Sequence, residues 1–172
     1  FKYAGLEYTG ALKVLQMIFS YEYLWIQLRV KGGAYGCMCS FSDQGDSMFV
    51  TYRDPNLAES YKVYDEAADY VANFHADDRD MKKYIIGTIG NMDIPMEAVD
   101  MGARSFHAYF LGKTEADLQK DRDQVLSCTQ ADIRALAPIV KAVVEAGNRC
   151  CIGNEEKIDQ NKEYFDEVKH VL

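Results

Sequence analysis

Hydrophobic residues recur at helical spacing through the first part of the chain. The pattern begins at Thr9 or Gly10 and predicts a helix with a broad apolar face. The residues of that face are Leu12, Leu15, Met17, Ile18 and Phe19. Helical spacing continues over residues 21–31, and Gly32 and Gly33 follow directly. Because glycine commonly ends a helix, we predict that the helical segment stops at these two residues.

Two short runs with the composition of β-strands follow the glycines. Residues 36–42 and 48–53 are rich in aromatic residues, valine and threonine, and residues 43–46 (DQGD) between them predict a hairpin turn. Pro55 cannot donate a hydrogen bond to a strand, and Asn56 can accept one from free helix amides. The second strand is therefore predicted to end here and a helix to begin.

The rest of the chain is predicted to be mainly helical. Helices are predicted over residues 56–74, from 77 or 78 through 89, from 96 until Gly112, from 114 onward and over 129–147. Thr114 and Thr129 each begin a capping-box pattern. Residues 149–153 are predicted to form a short buried strand, and a final helix is predicted to start at Asn154.

This order of elements predicts the α+β class. A hairpin, a run of helices and a returning strand indicate a two-layer α/β domain, with helices on one face of a largely antiparallel sheet. At 172 residues the chain can form one domain with a real core, and it contains no internal repeat or linker. We therefore predict a single domain over residues 1–172.

Three other features of the sequence are given structural interpretations. Arg53 is expected to form an ion pair with Asp54 or another nearby carboxylate, and His107, between aromatic residues, is expected to be a core histidine. Four tyrosines are expected to pack rather than to bind a ligand. They are Tyr52, Tyr61, Tyr64 and Tyr70.

Composition limits the partners of the chain. A net charge of −8 and a pI near 4.9 argue against nucleic acid or an anionic membrane surface, and are compatible with basic peptides. No apolar run approaches about 20 residues, so no membrane span is expected. The five cysteines are an odd number and do not form a complete disulfide framework. We interpret them as small buried residues in a reducing compartment, the cytoplasm or alternatively the mitochondrial matrix.

The most informative candidate chemistry lies around the two glycines. Arg29 falls in the last turn of the predicted helix and Tyr35 at the opening of the first strand, so both can point to one end of the sheet. A charged donor and a phenolic donor at that place suit a peptide carbonyl or a developing oxyanion. The alternative is an ordinary helix-to-strand turn with a surface arginine. A phosphate-binding loop is disfavoured, because the helix precedes the glycines.

The sequence does not predict a metal site within the chain. Its histidines are His75, His107 and His170, and no two of them have the spacing of metal ligands. A catalytic zinc site usually takes three protein ligands. No such set can be assembled from these residues.

Several segments resemble one family of enzymes. Residues 23–36 (YLWIQLRVKGGAYG) are similar to the C-terminal half of the insulinase-type (pitrilysin) zinc metallopeptidases, in the presequence protease branch. Residues 52–57 (YRDPNL), 83–89 (KYIIGTI) and 147–150 (GNRC) fit the same branch. The similarity extends over most of the chain in the same order.

The resemblance implies roles for particular residues and partners for the chain. It implies that Arg29 and Tyr35 reach a peptide substrate across a closed chamber, and we assign substrate binding to the residues around them. Those residues are Lys31, Gly32, Gly33 and Ala34. It also implies a zinc ion held outside this chain, by the N-terminal half of the same polypeptide, so that this C-terminal domain alone is expected to be inactive.

The same resemblance implies that one or more strands before Phe1 are missing, which leaves a sheet edge where a non-native dimer can form. The alternative function is a non-catalytic structural or docking domain, since relatives of this fold are core subunits of respiratory complexes. A scaffold does not need the two donors, and an upstream His-x-x-Glu-His would separate the two hypotheses.

Overall fold

The first helix, α1 (Ala11–Ile18), is the central element of the fold. The structure is a computed structural model and describes residues 1–170. The residue directly before α1, Gly10, has to be glycine because the backbone of α6 (Glu115–Leu126) passes close to it. A Cβ at this position would lie 2.4 Å from the Asp121 carbonyl oxygen. The apolar face predicted for α1 is buried. Its buried residues are Ala11, Leu12, Val14, Leu15, Met17 and Ile18.

Helical structure continues beyond α1, but with a different hydrogen-bond pattern. The segments Phe19–Tyr23 and Trp25–Lys31 are π-helical. The Gly32 amide accordingly donates to the carbonyl oxygen of Gln27, five residues earlier, at 3.0 Å. The predicted helical continuation is confirmed, whereas its π character was not predicted. Such segments are uncommon and occur frequently at functional sites.

The predicted hairpin is present. Strands β1 (Gly36–Phe41) and β2 (Ser47–Tyr52) pair in antiparallel fashion, with Gly36 opposite Tyr52 and Phe41 opposite Ser47. The turn between them is closed by the Ser42 amide, which donates to the Asp46 carbonyl at 2.7 Å. Within residues 1–170 these two strands are the whole sheet.

Helices make up most of the remaining structure. They are α2 (Leu57–Asp65), α3 (Ala67–Ala72), α4 (Asp78–Met92), α5 (Ala98–Phe110), α6, α7 (Gln130–Ala135), α8 (Ala137–Glu145) and α9 (Glu155–Asp159). Both predicted capping boxes form, at Thr114 and Thr129. Two helices predicted as continuous are broken, at Glu66 and at Leu136. Pro138 explains the second break, because proline lacks an amide donor and is tolerated in a first helical turn.

The predicted strand at residues 149–153 is wrong. The segment has no regular secondary structure, and the Ile152 side chain is 88% exposed. Side-chain contacts hold it instead: the Arg149 guanidinium lies 5.1 Å from the ring centroid of Tyr61 and pairs with Asp65 at 3.3 Å. A strand requires a neighbouring strand edge, and this segment has no ladder partner among the described residues. The final helix does start after Asn154, as predicted.

The core lies between α1 with its π-helical continuation, the hairpin and the short helices α3 and α7. Phe19 is the largest fully buried side chain, and aromatic rings surround it at centroid distances from 5.7 to 6.3 Å. These rings are Tyr23, Phe41, Phe49 and Tyr70. The fold is thus mostly helical with one small antiparallel sheet, which is compatible with the predicted α+β class. The two-layer arrangement stays a prediction.

An ion pair between Asp43 and Lys113 joins the hairpin turn to the loop after α5. Burial alone would raise the pKa of Asp43, but the hydrogen bond and charge of Lys113 outweigh it and hold the pKa below its usual 3.8. A carboxylate with a lowered pKa stabilises the folded state above its unfolded pKa, and this stabilisation is lost as the pH falls through the folded pKa.

We therefore expect Asp43→Asn to lower the free energy of unfolding at neutral pH by roughly 1 kcal/mol. The difference in unfolding free energy between the variant and the wild type should shrink as the pH falls below the usual pKa of aspartate, because the wild-type carboxylate then takes up a proton. Urea unfolding of both proteins across the acid range measures this. A difference that does not change with pH would contradict the assignment to this carboxylate.

Candidate functional site

The turn that joins the helical segment to β1 requires glycine at two positions for two different reasons. Gly33 has a φ of 79°, in the left-handed region that glycine adopts at little cost. Gly32 has ordinary helical dihedrals, but a Cβ there would lie 2.6 Å from the carbonyl oxygen of Leu28. The Ala34 amide also donates to that oxygen, at 2.9 Å. The path from Arg29 to Tyr35 is therefore tightly fixed.

Arg29 and Tyr35 lie together at the end of the hairpin. The Arg29 guanidinium donates to the backbone carbonyl of Tyr35, and its Cζ lies 5.5 Å from the centroid of the Tyr35 ring. Arg29 is half-buried and the Tyr35 side chain is 61% exposed. Within residues 1–170, the Tyr35 hydroxyl has no hydrogen-bond partner and the guanidinium has no carboxylate partner. Both donors can therefore serve an external acceptor.

Three further side chains complete this group, and the sequence analysis did not assign any of them to the site. The Arg29 Cζ lies 4.4 Å from the Trp25 ring, Tyr52 packs edge-on against Tyr35 at 6.0 Å, and the Arg53 Cζ lies 5.9 Å from the Tyr35 ring. We call Trp25, Arg29, Tyr35, Tyr52 and Arg53 the rim cluster. Its two guanidinium groups approach the Tyr35 ring, which places positive charge around the phenol in a chain of net charge −8.

Strand register brings Tyr52 and Arg53 to the site. Because Gly36 pairs with Tyr52, the next pair along the ladder is Tyr35 and Arg53, and the Tyr35 amide donates to the Arg53 carbonyl at 3.3 Å. Counting back from the predicted turn at residues 43–46 would have paired Tyr35 with Asp54 instead, because the observed turn is one residue shorter and pairs Ser42 with Asp46. Tyr52 is 52% exposed and packs edge-on against Tyr35. Tyr61, Tyr64 and Tyr70 also pack against aromatic rings, so the expectation that these tyrosines pack is confirmed.

Arg53 differs from its expected role. The expected ion pair with Asp54 does not form among residues 1–170, because the Asp54 carboxylate accepts instead from the Asn56 amide at 3.0 Å and the Ser60 hydroxyl at 2.6 Å. Arg53 has a φ of 49°, the one non-glycine residue with positive φ in the described part of the chain. Such backbone strain concentrates at functional sites. The Arg53 guanidinium lies over Tyr52, at 5.3 Å, and beside Tyr35.

The residues to which substrate binding was assigned lie in different environments. Lys31 is exposed, and its ammonium group donates back to the Gln27 side chain at 3.2 Å. Gly33 is exposed and Gly32 is half-buried, whereas the Ala34 side chain is buried. Substrate contact by these four residues stays a prediction, and Lys31 and Gly33 are the two that are exposed to solvent.

A cysteine lies close to the site. Burial raises the pKa of the Cys37 thiol, and the positive charge of Arg29 opposes this effect in part. Cys39 lies on the same face of β1 and is buried, which raises its pKa to about 12. Thiols with raised pKa values are poor nucleophiles at neutral pH. Cys39 and Cys128 therefore fit the interpretation as small buried residues, whereas Cys37 and Cys151 are half-buried and Cys150 is exposed.

The described residues do not fit a zinc ion. No group of three or more histidine, cysteine, aspartate or glutamate side chains in residues 1–170 is arranged to hold a metal. A catalytic zinc site needs three such ligands and an open position.

A cleft of about 710 Å³ lies beside the rim cluster, between β2, α2 and residues 148–158. Arg53, Asp54, Tyr61 and Tyr64 line it, but Arg29 and Tyr35 do not. The two donors therefore face solvent at the end of the hairpin rather than this cleft.

No helix within residues 1–170 combines the length and the apolar character that crossing a bilayer requires.

Comparisons with known proteins give the family. Residues 1–154 match the family model described as the PreP C-terminal domain. Protein HypA of Clostridium perfringens is 40% identical over 172 residues, which cover 100% of this chain and 18% of that protein. Presequence protease 1, chloroplastic/mitochondrial, of Arabidopsis thaliana is 33% identical over 172 residues, which cover 98% of this chain and 16% of that protein.

A mitochondrial presequence protease of Schizosaccharomyces pombe is 33% identical over 139 residues, 77% of this chain and 14% of that protein. The chain thus spans less than a fifth of the length of these relatives. The predicted resemblance to the presequence protease branch is confirmed by the family model and by relatives that match most of the chain. The chain belongs to the presequence protease (PreP) C-terminal domain family.

Proposed function

We propose that this domain binds the peptide substrate of a presequence-protease-like zinc metallopeptidase and supplies Arg29 and Tyr35 to its active site. The observation that carries the proposal is the rim cluster. In it the Arg29 Cζ lies 5.5 Å from the centroid of the Tyr35 ring, and the Tyr35 hydroxyl is free to donate to an external acceptor. Relatives named presequence proteases, which match most of the chain, support the peptide as the substrate class.

The two donors have distinct tasks in this proposal. The Tyr35 hydroxyl donates to the carbonyl oxygen of the scissile peptide or to adjacent backbone, and it does so more strongly as negative charge develops on that oxygen. Arg29 holds the substrate main chain and adds positive potential. Donors that are fixed in place before the reaction stabilise such charge without reorganisation, and the tight glycine turn provides this fixation.

The rest of the polypeptide completes the site. When bound, the zinc ion that the family resemblance implies would supply polarisation of the peptide carbonyl and activation of water. Its ligands belong to the N-terminal half, since the described residues offer no ligand set. We also propose that the helices and hairpin form part of a two-layer α/β domain in the full-length protein. We place that protein in the cytoplasm or in an organelle matrix.

Replacing Tyr35 with phenylalanine in the full-length protein tests the proposal. We expect kcat/KM for a peptide substrate to fall on the order of 100-fold, because the variant loses one fixed donor to an oxygen on which negative charge develops in the transition state. Zinc content and thermal stability should not change, since the ring and its aromatic contacts remain. Tyr3→Phe removes the hydroxyl of an exposed tyrosine outside the rim cluster and is the matched control.

Unchanged turnover in Tyr35→Phe would contradict the catalytic role of the phenol. If a full-length protein with bound zinc showed no peptidase activity, or if no zinc site existed upstream, the alternative of a structural or docking domain would be favoured. The exposed Tyr35 side chain, whose hydroxyl has no hydrogen-bond partner among residues 1–170, supports the peptidase, because a scaffold does not require a free donor at this place.

A further inference from the structure

Helix α5 has an apolar stripe that faces away from the domain. Val99, Phe106 and Phe110 are separated by seven and four residues and therefore lie on one helical face, with Tyr109 beside them. Their side chains are 81%, 66%, 70% and 78% exposed, in that order. We call these four residues the α5 stripe.

The opposite side of α5 faces the body of the domain. Arg104, His107 and Ala108 line a cleft of about 530 Å³, whose other walls include Met17 of α1 and Met92 of α4. His107 is exposed to this cleft rather than buried in the core, so its interpretation as a core histidine is wrong. The helix thus turns its polar side toward the domain and its apolar side toward solvent.

This orientation is the reverse of the usual one. A surface helix normally buries its apolar face against the core, yet α5 contains no buried residue. Moreover, the rings of the stripe contact one another, with Phe106 and Phe110 centroids 4.6 Å apart and Tyr109 and Phe110 centroids 6.0 Å apart. Clustered exposed aromatic rings mark interaction surfaces, because they give large apolar contact area at low entropic cost.

We propose that the α5 stripe is the surface on which a preceding segment of the full-length polypeptide packs. This chain matches 16–18% of the length of HypA and of the Arabidopsis presequence protease, and its family is described as a C-terminal domain, so most of such a polypeptide lies before it. The inference rests on the proposed function only in placing the domain within a longer protein, and not on Arg29 or Tyr35.

Charge and connectivity favour an intramolecular partner over the other occupants. A second copy would bring together two chains of charge −8, and an anionic bilayer would be repelled in the same way. A segment of the same polypeptide is held at high effective concentration and needs little intrinsic affinity. We expect it to offer apolar side chains at its centre and basic groups near Glu97 and Asp100, which flank the start of the stripe.

Hydroxyl-radical footprinting of the full-length protein, read by mass spectrometry, tests the inference. We expect Phe106, Tyr109 and Phe110 to be oxidised on the order of tenfold more slowly than Tyr3, because a packed interface excludes water from its centre. The protection should not depend on protein concentration. Oxidation of the three rings at the rate of Tyr3 would overturn the proposal, as would protection that appears only at high protein concentration or with added anionic vesicles.

A double variant, Phe106→Ser with Phe110→Ser, identifies the partner. Lysine cross-links from Lys120, an exposed lysine on α6, the helix that follows α5 in the chain, to residues upstream of this chain are expected in the wild type and should be lost in the variant. Ile86→Ser, at a 70% exposed position on α4, is the matched control and should keep them. Cross-links that persist in the double variant would contradict the proposal. Because neither measurement depends on catalysis, a failure here is distinguishable from a failure of the proposed peptidase function.

Discussion

Replacing Arg29 with alanine in the full-length protein is expected to lower kcat/KM for a peptide substrate by about 100-fold to 1000-fold, because the variant loses a charged donor to the substrate main chain and the positive potential beside the developing oxyanion. We expect the effect to exceed that of Tyr35→Phe, because the arginine acts through its charge as well as through its hydrogen bonds. Arg29 also positions the Tyr35 backbone through its contact with the carbonyl oxygen, so its loss weakens both donors.

Arg29→Lys separates charge from shape. Lysine keeps the positive charge but lacks the planar fork that donates to the Tyr35 carbonyl and stacks on Trp25 at 4.4 Å. We expect it to retain only a small part of the activity, and added guanidinium ions to restore some turnover to Arg29→Ala. Arg79→Ala, on the exposed surface of α4, is the control. Full activity in Arg29→Ala, with zinc content unchanged, would remove the arginine from the mechanism.

Replacing Phe19 with alanine is expected to lower the free energy of unfolding by about 3–5 kcal/mol, since the change combines lost burial with a cavity in the core. Phe19 is fully buried and contacts rings from the π-helical segment, both strands and α3. These elements cannot close over the space without moving the hairpin. Urea unfolding of the chain, with wild type and variant measured together, gives the difference.

Tyr3→Ala is the matched control for this change. It removes an aromatic ring of similar size from a fully exposed position and should change stability within about 0.5 kcal/mol. A loss below about 1 kcal/mol in Phe19→Ala would show that the aromatic core can repack, and would contradict the central place given to this ring.

Signals that act over a few residues were predictable from the sequence. The glycine turn, the hairpin turn and the capping boxes at Thr114 and Thr129 all form where expected, because each depends on dihedral preferences and contacts between near neighbours. The juxtaposition of Arg29 and Tyr35 followed from the same local reasoning. It needed only a helix end, two glycines and a strand start.

Features that depend on distant parts of the chain were missed. Residues 149–153 have the composition of a strand, but composition does not supply the neighbouring edge on which a strand depends. The π-helical register of Trp25–Lys31 leaves the hydrophobic spacing similar to that of an α-helix, so the pattern did not reveal it. The place of Arg53 in the rim cluster required the strand register, which the sequence analysis did not count.

The bonds around the glycine turn have a mechanical consequence. Arg29 donates to the Tyr35 carbonyl and the Ala34 amide donates to the Leu28 carbonyl, so two hydrogen bonds join the helix end to the segment that enters β1. The Tyr35 amide donates to the Arg53 carbonyl and joins this segment to the end of β2. Arg29 and Tyr35 are consequently expected to move together and to keep their relative position. Under the proposed function, a movement of this domain relative to the rest of the full-length protein would change the distance of both donors from the peptide while preserving the spacing between them.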